Sequence, residues 1–323
     1  MTIRVGIVGY GNVGRGAEKA VLADPGMELR AVFTRRDPRI LELADSSVPA
    51  LPVDAAESMT GEIDVMLLCG GSATDLWVQG PHFASMFSTV DSFDTHARIP
   101  EYMAVMGEAA KTTTAIISSA WDPGLFSMMR ALFGSVLPDG ASYTFWGRGV
   151  SQGHSDALRQ IEGVKSAVQY TIPIEGAIEA VRSGALPQFT AREKHLRECF
   201  VVAEHGADSA AIEATIKSMP NYFSDYDTTV HFIEEQEFGA NHSKMPHGGM
   251  VLHSGKTGGS GHVTEFSLKL DSNPEFTGSV MAAYARAAFR MSREGAYGVK
   301  TVFDVPLAYI SEKSREYLIK ELL

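Results

Sequence analysis

The sequence predicts an α/β fold in which a doubly wound parallel sheet is joined to an α+β domain with an open mixed sheet. Three observations support this prediction. The chain opens with an apolar run, a glycine-rich turn and a helix-forming segment at 5–20. Strand and helix patterns then alternate over the first 120 residues, which is typical of a doubly wound sheet. Beyond residue 124 the strand patterns alternate between apolar and polar residues, as in a sheet with one exposed face.

The opening segment, VGIVGYGNVGRGAEKA, contains the G-x-G-x-x-G pattern of dinucleotide-binding proteins. Gly9 lets the chain turn, Gly11 has no Cβ to keep a pyrophosphate away from the backbone, and Gly14 lets the helix pack closely on the strand. The helix N-terminus then presents free N–H groups to the phosphates. The pattern also occurs in ordinary turns, but its place directly after a buried strand favours a Rossmann-type cofactor site. The predicted contacts are Gly9, Tyr10, Gly11, Asn12, Val13 and Gly14.

The end of the second predicted strand, 28–33, indicates which dinucleotide binds. NAD-binding proteins of this type place an acidic residue about 20 positions beyond the glycines, whereas a 2′-phosphate needs cationic donors. Here Thr34, Arg35 and Arg36 occupy that place, and no carboxylate precedes Asp37. NADP is therefore favoured over NAD. The alternative is that both arginines are ordinary solvated side chains.

A third buried strand, at 63–69, ends in a small and polar loop. Ligands of doubly wound sheets lie outside the carboxyl ends of the strands, so this loop is predicted to border the nicotinamide side of the cofactor. Ser72 or Thr74 could equally cap a helix. The predicted cofactor contacts in this loop are Cys69, Gly70, Gly71, Ser72, Ala73 and Thr74.

Two carboxylates follow the next strands of this sheet. Asp94 comes at the end of the strand pattern 88–94, and Asp122 follows the strand 114–118. Both lie on the side where the nicotinamide should be, and two carboxylates there can bind a substrate ammonium group and accept protons. The alternative is that Asp91, Asp94 and Asp122 only form turns.

The second half of the chain carries further strand patterns and two helices. A short helix is expected at 210–219, and a longer one at 275–291 has apolar residues at helical spacing. We expect the long helix and a strand around Val302 to return to the first domain. The expected strands are 143–146, 168–172, 198–202, 229–232 and 265–270.

These patterns predict two domains. The first is a discontinuous dinucleotide-binding domain formed by 1–120 and about 274–323. The second is a substrate-binding domain formed by 121–273.

Polar segments of the second half are candidates for a ligand pocket. The glycine-rich loop predicted at 146–156 carries many donors and acceptors, although His154 alone would more often be structural. The segment 242–249 is predicted to be a loop, and its two histidines lack the helical spacing of a zinc motif, so no metal site is predicted. Arg197 could bind a carboxylate bidentately, although surface arginines are common.

Composition excludes several classes of function. The 323 residues are enough for two substantial cores, and a net charge of −11 argues against a nucleic-acid partner. The only cysteines, Cys69 and Cys199, indicate neither a disulfide framework nor a metal site, so we expect a reduced cytoplasmic setting. The N-terminal sequence does not resemble a signal peptide, and no apolar run approaches about 18 residues, so we expect no membrane association.

Eight uncommon segments resemble the meso-diaminopimelate dehydrogenases, NADP-dependent amino-acid dehydrogenases of bacterial lysine biosynthesis. They are VGYGNVGRG, LCGGSATD, TVDSFDTH, AWDPGLFS, TFWGRGVSQGHSDALR, VQYTIP, MPHGG and SNPEFT, spread over essentially the whole chain. The resemblance implies a homodimer whose second domain serves both substrate binding and dimerisation. It also implies that the substrate is surrounded by Asp94, Asp122, Trp146, Gln152, His154, Thr171, Arg197, His247 and Asn273.

The reaction that this resemblance implies is reversible oxidative deamination at the D-centre of meso-2,6-diaminopimelate. Its products are ammonia and L-2-amino-6-oxopimelate, which cyclises to tetrahydrodipicolinate. Asp94 and Asp122 would hold the reacting ammonium group, and Thr171, Arg197, His247 and Asn273 would hold the distant L-amino acid end. Holding both ends would present one hydrogen to the nicotinamide.

The chain departs from the family pattern at one position, and two alternative functions share part of its motifs. Family members usually have glycine where this chain has Ala120, and the extra methyl group could alter the substrate range. One alternative is an oxidoreductase resembling dihydrodipicolinate reductase, which also uses NADP but no ammonia. The other is a non-enzymatic NADP-binding sensor, which would not need so many carboxylate- and ammonium-binding side chains.

Overall fold

The computed structural model describes residues 2–323. The chain forms two compact units: unit 1 comprises the chain up to Met128 together with Pro274–Leu323, and unit 2 comprises Met129–Asn273. The assignment of cofactor binding and substrate binding to two separate domains stays a prediction at this point. No helix within residues 2–323 combines the length and the apolar character needed to cross a bilayer.

Unit 1 is built on a sheet of seven parallel strands, which confirms the predicted doubly wound α/β class. The strands are β1 (Ile3–Val8), β2 (Met27–Thr34), β3 (Ala50–Pro52), β4 (Val65–Leu68), β5 (Ser88–Asp91), β6 (Thr114–Ile116) and β14 (Gly298–Lys300). Their order across the sheet is β14-β6-β5-β4-β1-β2-β3. The carboxyl ends of parallel strands share one edge, so the predicted loops after β1, β2, β4, β5 and β6 all start from that edge.

Helices cover this sheet and account for its apolar strands. Those that contribute residues to its buried clusters or pack against them are α1 (Asn12–Leu22), α2 (Leu76–Ala84), α3 (Ile99–Ala109), α4 (Leu125–Val136), α10 (Asn273–Arg293) and α11 (Leu307–Ile310). Helices α4 and α10 run across the limits of the two units. The remaining helix of this region, α12 (Arg315–Leu322), has no buried residue. Successive residues of β1, such as Ile7 and Val8, belong to two different buried clusters. Both faces of the sheet are therefore buried, and its strands need no polar side.

The two helices α1 and α10 approach each other closely in unit 1. A Cβ atom added to Gly16 would lie 2.4 Å from the carbonyl oxygen of Pro274, and one added to Gly278 would lie 2.3 Å from the amide nitrogen of Ala17. A side chain at either position would clash with the facing backbone, so the two helices can approach this closely only because both residues are glycine. The last 50 residues thereby contribute to the core of unit 1.

One expectation for this C-terminal region is wrong. The strand predicted around Val302 lies instead at Gly298–Lys300, and Val302 begins a 3-10 helix that ends at Asp304. The hydroxyl of Thr301 accepts the N–H of Phe303 at 3.3 Å, while the carboxylate of Asp304 accepts the N–H of Thr301 at 2.8 Å. This reciprocal cap favours a helical turn and ends the strand.

Unit 2 contains two sheets rather than one. Its strands are β7 (Gly140–Trp146), β8 (Gly149–Val150), β9 (Val164–Pro173), β10 (His195–Ala203), β11 (Asp227–Phe232), β12 (His247–Thr257) and β13 (Ser260–Leu270). The first sheet has the order β11-β10-β9-β8 and the second has the order β13-β12-β7. Because β10 and β11 run parallel, the first sheet is mixed, whereas the second is antiparallel throughout.

Two segments of unit 2 that were predicted to be loops contain regular structure. Five helices lie wholly within unit 2. They are α5 (Gln152–Arg159), α6 (Glu175–Arg182), α7 (Ala191–Lys194), α8 (Ser209–Ser218) and α9 (Glu235–Asn241). The segment 146–156, predicted as a loop, contains β8 and the start of α5, so Gln152 and His154 lie on a helix. The predicted loop at 242–249 ends inside β12, which begins at His247. Short strands rich in glycine lack the apolar alternation that indicates a sheet.

Candidate functional site

The turn between β1 and α1 has the geometry expected of a phosphate-binding turn. Gly9 adopts a φ of 89°, which favours glycine, and its N–H donates to the carbonyl of Phe33 at 2.9 Å. A Cβ atom on Gly14 would lie 2.1 Å from the carbonyl oxygen of Gly9, so the helix starts in contact with the turn. A Cβ atom on Gly11 would meet nothing within 4 Å. The space beside Gly11 is therefore open to a ligand.

The first turn of α1 suits an anion. Gly11 is the N-cap residue, no side chain caps the helix, and the first turn holds no acidic residue. The helix dipole then favours a phosphate at this end. Of the predicted contacts in this turn, Tyr10 is only 4% exposed and its side chain belongs to the core, which leaves its backbone N–H for a ligand.

The end of β2 is tied to the glycine turn by the predicted arginines. Arg36 donates its N–H to the hydroxyl of Thr34 at 3.0 Å, and its guanidinium donates to the carbonyl of Tyr10. The side chain of Arg35 is 64% exposed and pairs with Asp75 at 2.8 Å. Two cations therefore stand beside the turn, and the region fits a dinucleotide with a 2′-phosphate.

A cavity of about 350 Å³ lies next to Arg35 in unit 1. Thr74 and Asp75 line it from the loop after β4, and Val78 and Phe83 line it from α2. Asp75 also accepts the N–H of Gly71 at 3.1 Å, which holds the loop against the arginine. The polar rim and apolar wall are typical of a small-molecule site.

The loop after β4 contacts the loop that carries Asp94. The hydroxyl of Ser72 accepts the N–H of Asp94 at 3.0 Å. Helix α2 has Asp75 as its N-cap residue and no capping side chain, so the alternative that Ser72 or Thr74 caps it is wrong. Ser72 instead couples two strand-end loops.

Asp94 and Asp122 lie in the loops that follow β5 and β6. Asp94 is exposed three residues beyond β5, while Asp122 is half-buried within a tight turn. In that turn Ala120 donates its N–H to the carbonyl of Pro123 at 3.0 Å, and a Cβ on Gly124 would lie 1.7 Å from the oxygen of Ala120. Ala120 itself does not adopt a positive φ, so its methyl group causes no backbone strain.

Arg197 is a buried cation in unit 2. The β9–β10 register places it opposite Thr171, and its guanidinium donates to the Thr171 hydroxyl. Its central carbon lies 3.8 Å from the ring centroid of Tyr226. Arg197 is only 7% exposed, and within residues 2–323 it pairs with no carboxylate. Burial lowers the pKa of Arg197, because the charge is removed from water, and the interaction with Tyr226 only partly opposes this shift. A ligand carboxylate would supply the missing counter-charge.

The predicted residues on α5 lie close to this cation or to the start of β12. Nδ1 of His154 is hydrogen-bonded to the Ser151 hydroxyl at 2.7 Å. Burial and the charge of Arg197 lower the pKa of His154 to about 4, so its imidazole is neutral at pH 7. The amide of Gln152 donates to the sulfur of Met245 at 3.4 Å.

Trp146 is held by a residue that the sequence analysis did not select. Nε2 of the buried His195 accepts the backbone N–H of Trp146 at 2.9 Å, and the two rings stack 5.4 Å apart. Burial lowers the pKa of His195 to about 3, with smaller contributions from Lys194 and Arg197. The neutral ring can therefore act as an acceptor. Alternation along β10 was the available signal, because His195 and Arg197 share one face.

His247 and Asn273 flank the same segment of unit 2. A Cβ on Gly149 would lie 2.5 Å from the His247 ring, so β8 packs directly against that histidine. The backbone N–H of Asn273 donates to the carbonyl of Met245 at 2.9 Å. Met245 therefore links Asn273 to Gln152.

The predicted residues thus fall into two groups, one in each unit. Unit 1 holds Asp94 and Asp122, and unit 2 joins Thr171 to Arg197 and links Gln152 to Asn273 through Met245. Across the described part of the chain, no three His, Cys, Asp or Glu side chains are grouped as metal ligands.

Comparison with known proteins is consistent across the chain. Residues 120–272 match the family model of the diaminopimelic acid dehydrogenase C-terminal domain. The chain is 61% identical to the meso-diaminopimelate D-dehydrogenase of Ureibacillus thermosphaericus, over 99% of each protein. It is 52% identical to a mutant meso-DAPDH of Clostridium tetani E88 solved with DAP, with both chains covered completely and a TM-score of 0.94. An engineered D-amino acid dehydrogenase bound to NADP+ is 43% identical, again over both complete chains, with a TM-score of 0.88.

Replacing His195 with Gln is expected to reduce the loss of stability on acidification. The pKa of His195 is lowered to about 3 in the folded protein, against about 6.5 in an unfolded chain. Below about pH 6.5 the unfolded chain therefore binds a proton that the folded protein does not, and stability declines by up to about 1.4 kcal/mol per pH unit. Above about pH 6.5 His195 is neutral in both states, and its titration no longer changes stability. Glutamine does not titrate, and its amide oxygen can still accept the Trp146 N–H.

Free energies of unfolding from urea titrations at about pH 7.5 and about pH 5.5 measure this difference. The matched control is His262→Gln, which removes an exposed histidine of the same unit. An equal acid-induced loss in wild type and His195→Gln would contradict the expected effect.

Proposed function

The chain belongs to the meso-diaminopimelate D-dehydrogenase family, and we propose that it catalyses the reversible NADP-dependent oxidative deamination of meso-2,6-diaminopimelate at its D-centre. The products are L-2-amino-6-oxopimelate, which cyclises to tetrahydrodipicolinate, and ammonia. The observation that carries this proposal is Arg197, a buried guanidinium without a carboxylate partner among residues 2–323. Such a charge is stabilised when a substrate carboxylate binds to it.

Unit 1 would hold the cofactor. Gly11 and the start of α1 would receive the pyrophosphate, and Arg35 and Arg36 would bind the 2′-phosphate. When bound, NADP supplies a nicotinamide that accepts a hydride from the substrate. Arg36 also fixes the turn through the Tyr10 carbonyl, so the phosphate site would be formed before the cofactor arrives.

The L-amino acid end of the substrate would be bound by unit 2. Arg197 would bind its carboxylate, with Thr171 orienting the guanidinium from the neighbouring strand. His247 and Asn273 would complete the polar contacts, while Trp146, Gln152 and His154 would surround the carbon chain. Because His154 is neutral at pH 7, it does not add a second charge beside Arg197.

The D-amino acid end would be bound by Asp94 and Asp122. Two carboxylates around one ammonium group balance its charge and provide a proton acceptor when the amine is oxidised. Since the two ends of the substrate would be held by different chemistry, only the hydrogen at the D-centre would face the nicotinamide.

We also propose that the chain acts as a homodimer in the cytoplasm. The homodimer is implied by the resemblance to the family. Cys69 and Cys199 are both free thiols, which suits a reducing compartment.

NADP reduction measured with meso-, LL- and DD-diaminopimelate tests the reaction. We expect rapid turnover of the meso isomer, none of the LL isomer because it has no D-centre, and slow turnover of the DD isomer because its second end has the wrong configuration for unit 2. In the reverse direction, NADPH should be consumed with tetrahydrodipicolinate only when ammonium is present. Consumption without ammonium would indicate a reductase, and tight NADP binding without turnover would indicate a sensor.

Arg197→Met is expected to weaken binding of diaminopimelate and to leave simple D-amino acids little affected. A hydrogen bond to a charged group contributes about 1.5–3 kcal/mol, so the KM for meso-diaminopimelate should rise about tenfold to more than a hundredfold. D-Alanine has no distant carboxylate to lose. The matched control is Arg192→Met, which removes an exposed arginine of unit 2. Equal losses for both substrates would contradict the anchoring role.

Arg35→Ala combined with Arg36→Ala is expected to raise the KM for NADP far more than the KM for NAD. Each lost charge-assisted contact with the 2′-phosphate should cost about 1.5–3 kcal/mol, whereas NAD has no phosphate there. Steady-state kinetics with both cofactors give the ratio. Arg39→Ala, which removes an exposed arginine paired with Asp37, is the control. An unchanged preference would exclude both arginines from the phosphate site.

A further inference from the structure

Asp91 is the most deeply buried carboxylate of unit 1 and takes no part in the reaction described above. It is the last residue of β5 and is 0% exposed. Its Oδ1 accepts the N–H of Phe93 at 3.0 Å and the N–H of Ser118 at 2.9 Å, and its Oδ2 accepts the hydroxyl of Tyr102 at 2.9 Å. One carboxylate therefore joins the loop after β5, the loop after β6 and helix α3.

The backbone of Asp91 makes a second connection to the loop after β6. Its carbonyl oxygen accepts both the N–H and the hydroxyl of Ser119, each at 2.9 Å. The neighbouring Ser118 has a φ of 55°, which is uncommon for serine. The hydrogen bond from its N–H to Asp91 helps to maintain this conformation. The two loops are thus joined at the last residue of β5 and within three residues of the end of β6.

Aromatic packing keeps this junction rigid. Phe93 and Tyr102 stack with ring centroids 4.1 Å apart and an interplanar angle of 10°. Trp77 packs edge-on against each of them at 5.4 Å. Two of the three residues that donate to Asp91, Phe93 and Tyr102, are therefore held in place by aromatic contacts.

Burying a carboxylate at this position costs free energy, because its charge is removed from water. Burial raises the pKa of Asp91 to about 6, although its three hydrogen-bond donors oppose that shift. A serine or asparagine could complete an ordinary turn without burying a charge. Asp91 differs from both in accepting three hydrogen bonds, two on Oδ1 from the loops and one on Oδ2 from Tyr102. Asparagine could keep only the two bonds on its oxygen, and serine could keep only one.

We propose that Asp91 is a positioning residue, whose carboxylate fixes the loop bearing Asp94 relative to the loop bearing Asp122. Asp94 lies three residues beyond Asp91, and Asp122 lies four residues beyond Ser118. A shift of either loop would change how the two carboxylates surround the reacting ammonium group. This inference rests on the proposed function of Asp94 and Asp122, and it adds the residue on which their relative position depends.

Three substitutions of Asp91 distinguish its bond to Ser118 in the loop after β6 from its bond to Phe93 in the turn after β5. Asp91→Ala removes every side-chain hydrogen bond. Asp91→Ser keeps a short oxygen that can accept the Phe93 N–H but is too short to reach Ser118 as well. Asp91→Asn keeps an oxygen in the place of Oδ1 and so retains both backbone bonds. The control is Thr113→Val, which removes a buried hydrogen bond to Ala84 at the opposite end of β6.

We expect the kcat for meso-diaminopimelate to fall about 100-fold in Asp91→Ala and in Asp91→Ser, because a displacement near 1 Å can cost that much. Asp91→Asn should restore kcat to within about threefold of wild type, since both bonds to the loops are kept. The dissociation constant of NADPH, measured by fluorescence, should change little in all three. Thr113→Val should lower the melting temperature without lowering kcat.

Each other outcome would overturn the proposal. A kcat within threefold of wild type in Asp91→Ser would show that the connection to Ser118 is not needed. An equal fall of kcat in Thr113→Val would mean that lost stability, not lost positioning, is measured. If Asp91→Ala does not fold, the comparison of kcat between Asp91→Ser and Asp91→Asn still shows whether the connection to Ser118 is needed. Absence of turnover in the wild-type protein would refute the proposed function itself, so the two failures are distinct.

Discussion

The contact between helix α1 and the end of strand β1 is the constraint on which unit 1 depends. The helix can begin beside the carbonyl of Gly9 only because Gly14 has no side chain. That contact brings the helix N-terminus to the carboxyl edge of the sheet, where the loops after β2, β4, β5 and β6 also begin. Cations from β2 and carboxylates from the loops after β5 and β6 thereby start from one edge, which is the arrangement that a charged cofactor and a zwitterionic substrate require.

Each unit contains a buried charge with neutral partners that bears on the candidate site; unit 1 also buries Glu18, which accepts the Tyr10 hydroxyl and the Ala44 N–H. In unit 1 the charge that bears on the site is Asp91, with two N–H groups and a hydroxyl, and in unit 2 it is Arg197, with a hydroxyl and an aromatic ring. Neither arrangement is the most stable one that a core could have. The buried charge of Asp91 lowers stability but fixes a connection between two loops. The buried charge of Arg197 lowers stability but forms a site that a carboxylate would complete. The neutral histidines His154 and His195 keep further positive charge away from Arg197.

The fold class was predictable because its strands and helices repeat strong local patterns. Apolar runs, the glycine turn and the long helix α10 are visible in the sequence without tertiary information. The short strand β8 and the start of β12 were not, because their glycines carry no apolar signal and the strands exist only through pairing with neighbours. The parallel pairing of β10 with β11 depends on the path of the chain between them, which sequence periodicity does not encode.

The candidate site likewise has residues that the sequence indicates and neighbours that only the fold brings to them. The residue types alone are enough to select Arg35, Arg36 and Arg197, because an arginine suits a phosphate or a carboxylate of a ligand. They do not reveal the neighbours that give those residues their properties. Tyr226 lies 29 residues from Arg197 and contacts it only through the fold, and Asp91 looks like a simple turn residue until Ser118 is placed beside it.

The close crossing of α1 and α10 has a consequence for how the protein is made on the ribosome. Helix α10 and strand β14 are synthesised after unit 2, yet they supply part of the core and one edge of the first sheet. Unit 2 is continuous in the chain, so it can mature while the nascent N-terminal half still lacks these pieces. Until α10 has been synthesised, the surface of α1 around Gly16 lacks the helix that packs against it.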